Sequence, residues 1–186
     1  MGSAILYPGF FSAGESDENF SNLLKEIKWK QEPIKIFGKE MMQPRMTAWY
    51  GDNDKAYSYS GITMQPFPWT ETLVKIKQRV EQVANVSFTS ALLNLYRDGN
   101  DSMGWHRDNE KELGEQPVIG SVSFGEARIF QFRLYKTKKE LKSVELTNGS
   151  LLIMSGDTNH YWEHSLPKTK LPINNRVNIT FRVINY

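Results

Sequence analysis

Arg176-Val-Asn-Ile-Thr-Phe-Arg182 is the stretch on which the fold turns. Successive side chains of an extended strand point to opposite faces. Val177, Ile179, Phe181 and Val183 therefore share one face, and Arg176, Asn178, Thr180 and Arg182 share the other. A wholly polar face is commonly a solvated outer face. Two features argue for an inward one. The charged residues are arginines, whose planar guanidinium grips a carboxylate at two points. The segment 91–96 also offers Asn94 and Tyr96 on one shared face, further polar groups for the same cavity. A barrel interior lined this way suits a small anion.

Upstream of this strand, from Phe88 onward, a period of two predominates. It predicts strands over 91–96, 118–124, 128–135, 144–146, 150–155 and 176–184. Gly125-Glu126 and Asn148-Gly149 are expected to form hairpin turns. Alternating β segments separated by turn residues predict an antiparallel sandwich or barrel. The first half reads differently. Ser16 and Asp17 are good capping residues, and Phe20, Leu23, Leu24 and Ile27 then recur at helical spacing up to about Trp29. A second helix is expected after Pro68, with Leu73, Ile76, Val80 and Val83 in one apolar stripe and Lys75, Lys77, Gln78 and Arg79 turned outward. These helices are expected to lie against one sheet of a jelly roll.

The 186 residues suit a single domain, 39% hydrophobic and 24% charged, with a net charge of +2. The chain has no cysteine, which excludes disulfides, thiolate metal sites, iron–sulfur clusters and cysteine nucleophiles. Residues 1–12 lack the basic flank and long apolar stretch of a signal peptide, and no run approaches membrane-spanning length. An intracellular location without membrane attachment is the expectation, with bacterial cytoplasm and eukaryotic nucleus equally open.

Any metal site must be built from His, Asp and Glu, and there are three histidines. His106-Arg-Asp108 sets an imidazole and a carboxylate two residues apart, on one side of an extended segment. A third ligand from His160 or His164 would complete two histidines and one carboxylate on one face of the ion. That set leaves open positions for a co-substrate and dioxygen, and favours non-haem iron(II). His160-Tyr-Trp-Glu163-His164 also matches the H-x-x-E-H pattern of a zinc peptidase. That chemistry needs both histidines on one helical face. Between Gly156-Asp157 and Ser165-Leu-Pro167 there is little room for a helix.

Taken in order, Asn94-Leu-Tyr96, His106-Arg-Asp108, Ser121-Val-Ser-Phe-Gly125, His164-Ser-Leu-Pro167 and Arg176-Val-Asn-Ile-Thr-Phe-Arg182 resemble the AlkB family of DNA and RNA repair dioxygenases. The likeness runs from about Ile36 to the end. Ile36-Phe-Gly-Lys39, Pro44-Arg45, Tyr50-Gly-Asp52 and Tyr57-Ser-Tyr-Ser-Gly61 are similar to the branch acting on double-stranded DNA.

The resemblance implies a double-stranded β-helix, or jelly roll. Residues 88–186 would be the catalytic core, and 1–87 a helix-containing extension with nucleotide-recognition segments. It implies His106, Asp108 and His164 as ligands of iron(II), with His160 a neighbour. Asn94, Tyr96, Arg176, Thr180 and Arg182 would hold 2-oxoglutarate, with Asn178 beside them and Arg176 on the distal carboxylate. Dioxygen is the co-substrate. The implied activity is hydroxylation of the N-methyl carbon of bases such as 1-methyladenine or 3-methylcytosine, with release of formaldehyde. The partner is then an alkylated nucleic acid, double-stranded DNA by this likeness, and the protein is expected to be a monomer.

A stacked base cannot reach a buried metal, so it must be flipped out of the duplex. The resemblance puts Tyr57 and Tyr59, with Ser58 between them, along the wall of the base pocket opposite His106. Phe37, in a turn with Gly38 and Lys39, is similar to a wedge that fills the vacated stack. Arg45 belongs to the same set of substrate contacts. Asn109 stands where the double-strand branch carries Asp, so it accepts from an exocyclic amine without bringing charge. Glu110 beside it supplies a carboxylate. Lys136, Lys138, Lys139 and Lys142, with Lys168 and Lys170, are either solvated loop charges or phosphate contacts at the cavity mouth. Two other functions fit the same chain. One is a catalytically silent jelly roll that binds nucleic acid or a metabolite; the other is an oxygenase acting on RNA or another methylated substrate.

Overall fold

A computed structural model of the chain describes residues 2–36, 39–52, 57–59 and 62–184. The chain runs β1 (Ser3–Tyr7), α1 (Ala13–Glu26), β2 (Pro33–Ile36), β3 (Lys39–Met42), β4 (Met46–Gly51), β5 (Tyr57–Tyr59) and β6 (Ile62–Met64), then α2 (Glu71–Ala84). It continues through β7 (Ser90–Tyr96), β8 (Met103–His106), a 3-10 turn at Lys111–Leu113, β9 (Ile119–Gly125), β10 (Arg128–Leu134), β11 (Lys142–Leu146) and β12 (Ser150–Ser155). A single helical turn, α3 (Thr158–Tyr161), precedes β13 (Trp162–Leu166) and β14 (Arg176–Arg182).

Two sheets face each other. The larger has the order β1-β12-β9-β14-β7-β4 and the smaller β11-β10-β13-β8, all described pairs being antiparallel. This is the jelly roll expected from the alternating segments. The larger sheet draws β1 and β4 from the part of the chain before residue 88.

Gly125-Glu126 and Asn148-Gly149 do not close hairpins, contrary to expectation. Each carries the chain from one sheet to the other, β9 to β10 and β11 to β12. A jelly roll fills both sheets by such crossings, which local turn chemistry cannot tell from a hairpin. Gly125 and Gly149 have φ of +84° and +74°, where a side chain would be strained. The two corners are tied together, because the Gly125 N–H donates to Asn148 Oδ1 at 3.0 Å. The Lys136–Lys142 region does join a true hairpin, β10 to β11.

α1 begins four residues before Asp17, because Ser12 and Glu15 form a reciprocal capping box. Ser16, expected as a cap, is buried inside the helix with its hydroxyl donating to Ser12 O at 2.7 Å. α2 is capped by Thr70 and ends at Asn85 in the left-handed region. Leu73, Ile76 and Val80 of α2 are fully buried, each stabilising the fold by about 1.5–3 kcal/mol. Val83, expected in that stripe, is 38% exposed. Arg79, expected to face solvent, ties α2 to α1 through Glu15 at 2.7 Å.

Both helices pack on the larger sheet, where Leu23, Ile76, Val80, Phe88, Val122, Phe124, Val177, Ile179 and Phe181 form one apolar cluster. The apolar face of β14 is thus spent on the helices. Its polar face turns into the space between the sheets, and Arg176, Asn178, Thr180 and Arg182 are all buried there. The other half of that space is filled by Ile119, Phe132, Leu146, Leu152 and Met154. β14 thus gives the space between the sheets a polar end.

Candidate active site

The polar end is built by strand pairing. β13 pairs with β8 and sets His164 directly opposite His106. Asp108 follows two residues after β8 ends. The three side chains offer ligand atoms that all lie within 4.8 Å of one another, and they form the one such group among the described residues. The two Nε2 atoms are 3.1 Å apart, and His164 Nε2 is 3.5 Å from Asp108 Oδ2. Gly104 O lies 2.8 Å from His106 Nδ1, which makes Nδ1 the donor and leaves the Nε2 lone pair for an ion.

Burial, with His106 alongside, pushes His164 down to about 3, so the imidazole is neutral at physiological pH. Burial works to raise the Asp108 carboxyl, but the Arg182 guanidinium beside it outweighs this and holds it at about 2. The set is two neutral imidazoles and one carboxylate, as a facial triad requires. Two converging Nε2 atoms so close together fit an ion between them. Of the two histidines left open as third ligand, His164 is the one brought to the cluster. His160 lies within the single turn α3, while Glu163 and His164 sit in β13. The helical face needed by the peptidase pattern does not form. Glu163 is instead held by Arg133 and by Lys138, the latter at 2.8 Å.

The cavity beside the triad is lined by Asn94, Tyr96, Arg176, Asn178, Thr180 and Arg182, together with His106, Asp108 and His164. Nine residues expected to share a site therefore do so. Pairing in register produces this, with β14 set opposite β7 at Asn178↔Asn94 and Arg176↔Tyr96. Arg176 is 1% exposed; its Nη2 donates to Ser123 Oγ at 2.9 Å, and its buried Nε has no partner. Burial lowers this guanidinium to about 10, still charged at neutral pH. A buried cation with an unused donor fits a carboxylate ligand. Arg182, expected to hold 2-oxoglutarate, donates through Nη2 to Asp108 Oδ1. Asn178 is occupied by Ser121 Oγ at 2.8 Å and Val122 O at 3.0 Å, and it accepts from Thr180 Oγ1 at 3.1 Å.

Arg45 is buried at 6% exposure, and its Nε donates to Asn94 Oδ1 at 2.8 Å. Asn109 is exposed, and Glu110 half-buried. Phe37 and Gly38 lie outside the described residues. For Lys39, Tyr57, Ser58 and Tyr59 only the backbone is described, in β3 and β5.

Sequence reading quoted Ser121 and Ser123 within Ser121-Val-Ser-Phe-Gly125 without giving them a role, and it passed over Phe130. Ser121 and Phe130 line the cavity, and Phe130 lies 5.2 Å from the His164 ring. The two serines pair with Thr180 and Asn178 across β9 and β14. Their signal was the alternation of small polar residues in Ser121-Val-Ser123, which requires the pairing to be interpreted.

The profile of the 2OG-Fe(II) oxygenase superfamily matches residues 3–182. Over 188 aligned residues the chain is 40% identical to the DNA oxidative demethylase ALKBH2 of Homo sapiens, covering 96% of this chain and 72% of that protein. It is 42% identical to the alpha-ketoglutarate-dependent dioxygenase alkB homolog 3 of Mus musculus, covering 96% of this chain and 65% of the relative. The chain thus spans just under two thirds of the alkB homolog 3 proteins it matches. A solved structure of OsALKBH1 superposes with a TM-score of 0.69 over 96% of this chain and 97% of that one; at 17% identity this likeness concerns the fold alone. The chain belongs to the AlkB family within the 2OG-Fe(II) oxygenase superfamily. Iron(II) and 2-oxoglutarate are the cofactors of this class, and the triad and the Arg176 cavity fit them.

Proposed function

We propose that the protein is an oxidative demethylase of N-alkylated DNA bases, of the 1-methyladenine and 3-methylcytosine type. The observation carrying this reading is the His106–Asp108–His164 cluster lining one cavity with a buried Arg176 that has an unused donor, in a chain 40% identical to a DNA oxidative demethylase.

His106, Asp108 and His164 would hold iron(II). Arg182 takes Asp108 Oδ1, which leaves Oδ2 facing His164 for the ion. Arg176 would pair with the distal carboxylate of 2-oxoglutarate, and Asn94, Tyr96 and Thr180 would line its path. With dioxygen, these cofactors supply oxidative decarboxylation to succinate and hydroxylation of the N-methyl carbon, after which formaldehyde leaves. Leu92, Leu146 and Met154 give the cavity an apolar part of its lining. Tyr57, Ser58 and Tyr59 are proposed to stack on and contact the flipped base, and Asn109 and Glu110 to meet its polar edge. Phe37, Gly38 and Lys39 are proposed to enter the duplex. The protein would act as an intracellular monomer on double-stranded DNA.

Incubation with iron(II), ascorbate, 2-oxoglutarate and methylated oligonucleotides, followed by mass spectrometry, tests the activity. Loss of the methyl group is expected for the parent and not for His106→Ala or Asp108→Ala. Binding without turnover would instead support a silent jelly roll. Phe37→Ala should impair duplex repair more than single-strand repair, and equal losses would remove the duplex preference.

A further inference from the structure

Arg45 is buried at 6% exposure, although it lies in the connection between β3 and β4, where a DNA-contacting arginine would be expected at the surface. It lies just before β4, at the edge of the larger sheet, and β4 pairs with β7 so that Thr47 stands opposite Asn94. The guanidinium reaches into the barrel, donating from Nε to Asn94 Oδ1 at 2.8 Å and from Nη1 to Ser102 O at 3.4 Å. Asn94 is 2% exposed and lines the cavity that holds Arg176.

A carboxamide presents an acceptor on one side and a donor pair on the other, and it can turn either way. An asparagine opposite a carboxylate helps only if its nitrogen faces the ligand; an oxygen there would repel it. Arg45 breaks the tie. An arginine has donors and no acceptor, so the Asn94 oxygen must turn to it, and the donor end is left for the cavity. We propose that Arg45 is a positioning residue for the keto acid, acting through the orientation it imposes on Asn94. This rests on the reading of that cavity as the 2-oxoglutarate site. It also removes Arg45 from the DNA contacts.

Calorimetric titration of 2-oxoglutarate into protein loaded with Mn(II), which binds without turnover, tests it. Arg45→Met should weaken 2-oxoglutarate by about tenfold, the worth of one hydrogen bond to a charged group. Mn(II) affinity and affinity for methylated duplex should be unchanged. Arg45→Lys, which keeps a donor, should lie within about threefold of the parent, and it serves if the Met variant does not fold. Asn94→Asp keeps the contact with Arg45 but has no donor end, and should lose at least as much. In the pair Arg45→Met with Asn94→Ala, the double variant should be no weaker than Asn94→Ala alone. Additive losses, an unchanged 2-oxoglutarate affinity in Arg45→Met, or a fall in duplex affinity alone would overturn the proposal. Failure of the parent itself to bind 2-oxoglutarate would instead strike the cofactor reading.

Discussion

His106 and His164 face each other across β8 and β13 with their Nε2 atoms 3.1 Å apart, although 58 positions separate them in the chain. Two neutral imidazole nitrogens in that position repel unless a cation or a proton lies between them. A divalent ion should therefore stabilise the fold. At about one hundred times its dissociation constant, Mn(II) should add about 2.7 kcal/mol, read as a rise in melting temperature. His164→Ala should lose that rise. An equal shift in the variant would show the ion binding elsewhere.

Arg182 and Asp108 form a buried ion pair, at 2% and 1% side-chain exposure. Removing one partner of such a pair leaves an uncompensated charge. Arg182→Met should cost about 3–5 kcal/mol in denaturant unfolding. The double variant Arg182→Met with Asp108→Asn should recover part of the loss, and a double variant less stable than the single would refute this account.

Asp101 is 4% exposed and accepts from Arg97 Nε at 2.7 Å and from the Arg97 backbone N–H at 2.9 Å. Burial works to raise its carboxyl, but the Arg97 side chain and backbone hold it below the usual range. On acidification the unfolded chain binds this proton first, near pH 3.9. The stabilisation is therefore complete above that value and lost as pH falls through the lower folded value. Asp101→Asn should flatten the acid limb of the stability curve below about pH 4. Identical acid limbs in parent and variant would exclude Asp101 as a contributor.

Gly120 of β9 lies under α2, and a Cβ there would meet Val80 Cγ1 at 2.7 Å and Phe88 Cζ at 3.3 Å. Val80 and Phe88 are fully buried and cannot retreat without moving the helix. Gly120→Ala should destabilise by about 1–3 kcal/mol. Hydrogen exchange should locate the loss in α2; protection lost elsewhere would contradict the packing argument.

Lys136, Lys139, Lys168 and Lys170 are exposed, whereas Lys138 is engaged with Glu163. If the exposed lysines contact phosphates, each substitution by Ala should reduce the slope of log affinity for DNA against log salt by about one. Lys138→Ala should change stability more than the slope. A slope indifferent to all four would make them solvated loop charges.

Much of the site was legible from alternation, since β14 declares two faces and the structure buries both. Asn94 and Tyr96 followed in the same way. The strands β4, β8 and β13 were not legible. β4 is buried at nearly every position, so it shows no period, and β8 and β13 are too short to establish one. The two glycine corners carried the right backbone signal and the wrong destination.

Which side chains share a face and which chemistries an absent cysteine forbids are local properties. Covalent geometry and composition settle them before the chain folds. Which histidine joins Asp108, what Arg182 holds and where Arg45 points are settled by register between strands distant in sequence. A strand's own residues specify the faces it offers; the neighbour it meets depends on how the whole set of apolar faces can be buried at once.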